Sequence, residues 1–142
     1  MSEQNFSNHK RFHPIYHYVI LPLAFAGLIG SVINLTRSSS ENLYNASLLV
    51  VAFILLFFIG ALVRLYALKV QNRVIKSEEN FRHFILTGKP LNPGLRMGQI
   101  IALRFASDEE FPELAARALN EKLTVPDIKK SIKKWRADYY RI

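Results

Sequence analysis

The sequence contains an uninterrupted apolar run at residues 46–63, ASLLVVAFILLFFIGALV, which ends abruptly at Arg64. This run limits the folds that the chain can adopt more than any other feature. At about 1.5 Å per residue, the run makes a helix roughly 27 Å long, close to the ~30 Å hydrocarbon core of a bilayer. A helix in the core of a soluble protein would instead carry an apolar stripe and a polar face. The run therefore predicts a membrane span.

A second apolar block precedes it at residues 16–35, YHYVILPLAFAGLIGSVINL, and contains no Asp, Glu, Lys or Arg. A cleaved signal peptide would have a shorter apolar core and a small-residue cleavage site at its end. Here the block ends in VINL, and another span follows it. We interpret the block as an uncleaved first span.

The positive charges next to the two blocks predict their orientation. The connector at residues 36–45 holds one cation, Arg37, whereas Lys and Arg are frequent on the other side of both blocks. Short loops rich in Lys and Arg stay in the cytoplasm. We therefore expect both termini to be cytoplasmic. The cations on that side are Lys10, Arg11, Arg64, Lys69, Arg73 and Lys76.

The predicted fold is all-α, with a transmembrane helical hairpin followed by a small cytoplasmic helical bundle. Residues 1–14 form a membrane-proximal arm, residues 15–68 the hairpin, and residues 69–142 a basic domain. The spans lie at about 16–35 and 46–64. No Gly or Pro follows Arg64 until Gly88, so the second span should continue as one long helix. Apolar or small residues recur along it at Val70, Val74, Ser77, Phe81, Phe84 and Ile85.

Three shorter helices are expected in the basic domain. The first covers residues 95–106. A capping box that begins at Ser107 predicts the start of the second helix, which runs to about Glu121. Thr124 and Asp127 predict the start of a last helix that reaches about Tyr140. Its apolar face would comprise Ile128, Ile132, Trp135, Tyr139 and Ile142.

A cluster of cations shares this predicted last helix. Residues 69–142 hold fifteen Lys and Arg against nine Asp and Glu, so six of the eight net positive charges lie there. The cluster could contact anionic lipid, bind phosphate backbones, or be solvated while the apolar face packs. A small domain favours the last interpretation, because it needs its apolar side chains for a core. The candidate basic surface is Lys129, Lys130, Lys133, Lys134 and Arg136.

Small residues are concentrated in both predicted spans. They let helix backbones approach closely, and in lipid such packing replaces the hydrophobic driving force. The partner could be the other span or a helix of another protein. The candidate packing residues are Ala26, Gly27, Gly30 and Ser31 in the first span and Ala52, Gly60 and Ala61 in the second.

Aromatic and imidazole side chains surround the start of the first span. His13, Tyr16, His17 and Tyr18 are typical of an interfacial belt at head-group level. The two histidines have metal-ligand spacing, but two ligands do not make a zinc site. There is no cysteine, no Asp, Glu, Lys or Arg inside either block and no recognisable catalytic set. We therefore expect no metal, no cofactor and no enzymatic activity.

Together these observations predict an accessory or scaffolding subunit of a larger membrane complex. Its expected partners are anionic membrane lipids and another membrane protein. The alternative is a membrane-tethered module that contacts nucleic acid or the ribosome through the candidate basic surface.

Four segments carry a resemblance to a known family. They are FHPIYH at residues 12–17, LRFA at 103–106, ELA at 113–115 and IKKWRADYY at 132–140. In these segments the chain resembles an uncharacterised family of small bacterial two-span membrane proteins. The resemblance implies a bacterial cytoplasmic membrane and supplies no functional residues.

Overall fold

The computed structural model describes residues 5–6 and 13–138, and within them it contains helices but no β-strand. A π-helical segment, Ile15–Ile20, leads directly into α1 (Leu21–Arg37). The long α2 (Leu43–Thr87) follows. Three short helices follow within the described residues: α3 (Met97–Leu103), α4 (Phe111–Asn120) and α5 (Val125–Ser131). The prediction of an all-α fold is confirmed.

The chain divides into two compact units. The first, here called the apolar unit, covers described residues 13–68. The second, the charged unit, covers described residues 5–6 and 69–138. Helix α2 supplies residues to both.

Two helices associated with the apolar unit are long and apolar enough to cross a membrane, namely Ile15–Arg37 and Leu43–Thr87. Within this unit only Ser31 and Ala46 are fully buried, and both side chains are small. Large apolar side chains are exposed along both helices; for example, Leu55 and Phe58 are 55% and 59% exposed. Such a surface is costly in water and favourable in lipid.

Helix α2 is continuous from the apolar unit into the charged unit, as predicted. Its last residue, Thr87, is followed by Gly88, whose backbone has φ +72 and whose N–H donates to the carbonyl of Phe84 at 2.8 Å. This left-handed residue after the last helical turn is the common glycine cap, because glycine adopts positive φ without steric cost.

The core of the charged unit is built from α3, α4, α5, the adjoining loops and Ile75 of α2. Phe105, Phe111, Leu103 and Ile128 are its largest fully buried side chains. Helix α4 buries one face, as its apolar periodicity predicts, and exposes the other. Its buried residues are Phe111, Leu114, Ala115 and Ala118.

The prediction of a last helix extending to about Tyr140 is wrong, because α5 ends at Ser131 and Ile132 is extended. Beyond it, the chain pairs with the segment after α3: Ser107 N–H donates to Lys134 O at 3.1 Å and Arg136 N–H to Phe105 O at 2.8 Å. A continued helix would also stack like charges four residues apart, which is unfavourable. Tyr139 and Ile142, which we placed on its apolar face, lie outside the described residues.

The two predicted helix caps have different outcomes. Thr124 does cap α5, accepting a hydrogen bond from the backbone N–H of Asp127 at 3.4 Å. The side chain of Ser107 does not cap α4, which begins at Phe111. The carboxylate of Glu110 instead accepts hydrogen bonds from the backbone N–H groups of Lys133 and Lys134. This acidic side chain therefore holds the segment at residues 132–138, here called the extended segment, rather than a helix end.

Candidate functional site

The charged unit contains a network of acidic and basic side chains centred on Arg82 of α2. The side chains of Glu79 and Arg82 are largely buried, whereas that of Asp108 is 65% exposed. Its Nη1 donates to Glu79 Oε2 at 3.0 Å, its Nε to Asp108 Oδ1 at 2.6 Å, and its Nη2 to the carbonyl of Ala106 at 2.7 Å. The guanidinium also lies 4.4 Å from the centre of the Phe111 ring. A guanidinium presents five donors in a fixed plane, so it can join these separate acceptors at once.

Glu79 is the most deeply buried ionisable residue of this network, with 3% of its surface exposed. Burial raises the pKa of its carboxyl group above the usual value, although Arg82 opposes the shift through a hydrogen bond and its charge. The charges of Arg136 and Arg104 act on the pKa in the same direction as Arg82. Glu79 is thus a buried acid whose pKa is raised by burial and lowered by three arginines.

A second buried ion pair joins Arg104, just after α3, to Asp138 in the extended segment. Their side chains are only 9% and 16% exposed. The guanidinium also lies 5.6 Å from the centre of the Phe105 ring. Because an ion pair buried in this way is costly to break, it fixes the extended segment onto α3.

The structure does not place the five residues of the candidate basic surface on one helix. Lys129 and Lys130 lie in α5, whereas Lys133, Lys134 and Arg136 lie in the extended segment. Lys134 forms an ion pair with Glu109 at 2.6 Å, which raises the pKa of the lysine. Its charge is therefore compensated within the unit.

The only tryptophan of the chain, Trp135, lies within this segment. Its ring is partly buried and lies 5.3 Å from the ring of Phe105, with the planes tilted by 39°. The ammonium group of Lys129 lies 5.5 Å from the centre of the same Phe105 ring. The rings of Trp135 and Phe105 therefore contribute to the core. What the extended segment exposes is mainly charged side chains and not aromatic rings on which bases could stack.

The small residues predicted for helix packing fall into two groups. A side chain on Gly27 would collide with the ring of Phe53, and Ser31 is buried. By contrast, a side chain added at Gly30 or at Gly60 would meet nothing within 4 Å. Ala26 and Ala52 are exposed and Ala61 is half-buried. Gly27 and Ser31 therefore pack within the unit, and Gly30 borders open space.

The predicted interfacial residues lie at the start of the π-helical segment. The hydroxyl group of Tyr16 donates to Gly60 O at 3.4 Å, and the guanidinium of Arg64 lies 5.8 Å from the centre of the Tyr16 ring. His17 Nδ1 lies 3.0 Å from His13 O. Tyr18 is 70% exposed. In the described residues, no group of three or more His, Asp or Glu side chains is arranged to hold a metal ion.

Sequence reasoning did not find the network around Arg82. Its members are far apart in the chain: Arg82 and Asp108 are separated by 26 positions. The one available signal was the position of Glu79 and Arg82 on the same side of α2 as Ile75, the face that the charged unit buries. Charged side chains on a buried face indicate an internal ion pair.

The model of a family of unknown function (DUF6526) matches residues 1–142 of the chain. The chain belongs to this family. The prediction of an uncharacterised family is thereby confirmed. Neither the curated proteins nor the solved structures give a match. Membership of DUF6526 assigns no activity to any residue, so the interpretation of the site depends on geometry alone.

Proposed function

We propose that this protein is a non-enzymatic subunit of a larger complex in the cytoplasmic membrane of a bacterium, with an accessory or scaffolding role. In this proposal α1 and α2 cross the bilayer as a hairpin, and both termini and the charged unit are cytoplasmic. The resemblance to small bacterial two-span proteins supports the assignment to the bacterial cytoplasmic membrane. The distribution of Lys and Arg supports the orientation of the two spans.

Contacts within the apolar unit support the hairpin. Tyr16 contacts Gly60, and Gly27 faces Phe53. A residue later in the first helix therefore contacts a residue earlier in the second helix. This order is the one expected for two antiparallel helices joined by the short connector at residues 38–42.

The observation that carries the proposed role is the open surface at Gly30. A glycine inside a helix costs about 1 kcal/mol relative to alanine. Gly27 offsets that cost by accommodating Phe53, whereas nothing in the described chain occupies the space beside Gly30. A helix of another membrane protein could approach closely there.

Purification in mild detergent, followed by mass spectrometry, tests this role. The wild-type protein should retain a defined membrane protein, and Gly30→Leu should release it because the added side chain fills the contact. Val32→Leu is the matched control, because Val32 is also exposed but lies on nearly the opposite side of α1. An identical set of retained proteins in all three samples would contradict the proposal.

Contact with nucleic acid or the ribosome stays the alternative, supported by the exposed Lys130, Lys133 and Arg136. Because Trp135 packs on Phe105, such binding would depend on charge and decline steeply with salt. Replacing the three cations by glutamate should abolish co-sedimentation with ribosomes if this alternative holds. Retention of membrane partners by that variant would favour the subunit role.

A further inference from the structure

The part of α2 in the charged unit presents an apolar stripe that no described residue covers. We define the α2 stripe as Val70, Val74, Ser77, Phe81 and Phe84. Its four apolar members are 62%, 50%, 64% and 52% exposed, in chain order. On another side of the same helix, Ile75 and Glu79 are buried at 4% and 3%. The helix thus uses one face for its own unit and leaves a second apolar face uncovered.

The spacing of the α2 stripe is that of a coiled-coil seam. Successive members are four, three, four and three residues apart. This alternation places apolar side chains at the two core positions of a heptad, where they pack between the side chains of a facing helix. The spacing thus identifies a second helix, rather than an irregular surface, as the fitting occupant.

The charges beside the stripe identify that second helix as another copy of α2. Arg73 and Glu78 flank the seam on opposite sides, five residues apart. In a parallel pair of identical helices, residues with this spacing and position face each other across the seam. Arg73 of one copy would meet Glu78 of the other, and the reverse, giving two ion pairs. Within the described chain neither side chain has an ion-pair partner.

The area and the geometry agree with this occupant. The exposed stripe together with Ile85 amounts to about 500 Å² per copy, so a pair buries about 1,000 Å², near the lower limit for a specific interface. Confinement to one membrane raises the effective concentration further. Lipid is a poor occupant, because charged side chains recur along the same stretch of α2, at Lys69, Arg73, Lys76, Glu78 and Glu79.

We propose that the protein forms a parallel homodimer through the α2 stripe. The parallel orientation rests on the proposed function, since it requires both copies to be inserted in the same direction in one membrane. The two ideas are separable, because membrane insertion is measured by fractionation and dimerisation by cross-linking.

The absence of cysteine from the sequence makes the test direct. Single variants Val74→Cys and Phe81→Cys are oxidised in native membranes, with Lys76→Cys as the control. Lys76 is exposed on the same helix but lies off the seam. The two seam variants should give disulfide-linked dimers at a level several-fold above the control. All three replace exposed side chains, so their folding should be unaffected.

The charge pairing is tested in the Val74→Cys background. Glu78→Arg places like charges across the seam and should lower the dimer yield, and the double variant Arg73→Glu with Glu78→Arg should restore it. Equal cross-linking at positions 74 and 76, no response to charge reversal, or attachment of the seam cysteines to a different protein would each overturn the homodimer. Absence of the protein from the membrane fraction would instead contradict the proposed function.

Discussion

Residues 46–63 and residues 69–87 belong to the same helix, α2, but they distribute their apolar side chains in different ways. In the first stretch large apolar residues are exposed all round, as at Leu55 and Phe58. In the second, one face is buried by the charged unit, and the remaining surface alternates between charge and the α2 stripe. The continuity of a helix therefore does not indicate whether lipid, protein or water surrounds it. The distribution of buried and exposed apolar side chains around the helix does indicate this.

The largest effect should distinguish a buried from an exposed phenylalanine. Phe111→Ala should lower the free energy of unfolding by about 3–5 kcal/mol, because it leaves a cavity in the core. In the monomer, where the α2 stripe is uncovered, Phe84→Ala removes the same group from an exposed site and should change the free energy of unfolding by less than about 0.5 kcal/mol. Denaturant unfolding of the full chain in dilute micelles, followed by Trp135 fluorescence, measures both. Equal losses of unfolding free energy in the two variants would contradict the assignment of Phe111 to the core and of Phe84 to the surface.

The next prediction uses one substitution at two places on α2. Leu55→Arg should disfavour membrane insertion by about 2.5–3.5 kcal/mol, since it places a charge near the centre of a span. Leu86→Arg, also at an exposed leucine, should leave the amount in the membrane fraction unchanged. Comparison of the two variants by membrane fractionation checks this. Equal retention of both would show that residues 46–63 do not lie in lipid.

The buried pair in the charged unit gives a smaller effect. Asp138→Asn should lower the free energy of unfolding by about 1.5–3 kcal/mol, because the charge of Arg104 then stays buried without its counter-ion. Adding Arg104→Met should recover most of the loss, since an apolar side chain of similar length fills the same space. If the double variant is less stable than Asp138→Asn, the pair is not an isolated electrostatic unit.

The smallest effect concerns the acidity of Glu79. Burial raises the pKa of its carboxyl group above 4.5, so the folded protein binds this proton more tightly than the unfolded chain. The stability of the wild type relative to Glu79→Gln should therefore increase as the pH falls from neutral toward 4.5. Unfolding curves of the two proteins across this range test the sign. A relative loss of stability on acidification would mean that the arginines outweigh burial.

The sequence predicted those parts of the molecule whose determinants are close together in the chain. The long α2 and its end at Gly88 follow from consecutive residues and a single glycine. The extended segment after α5 could not be predicted in this way. Its backbone is held by Glu110, 23 positions from Lys133, and such an acceptor is invisible to local periodicity.

The candidate site shows the same division. Gly27 and Ser31 were identified by their spacing, and both pack within the apolar unit. The exposure of Gly30 could be recognised only when the space beside its backbone was known. Likewise, the sequence does not distinguish Lys134 from the neighbouring cations, whereas the structure does through its ion pair with Glu109.

In the proposed topology, the connector and the charged unit lie on opposite sides of a membrane. Single variants Ser39→Cys and Asn120→Cys, both at exposed positions, allow a direct test with a membrane-impermeant maleimide. In intact cells made permeable only at the outer membrane, Ser39→Cys should be labelled and Asn120→Cys should react only after lysis. Labelling of Asn120→Cys in the intact cells would contradict the account.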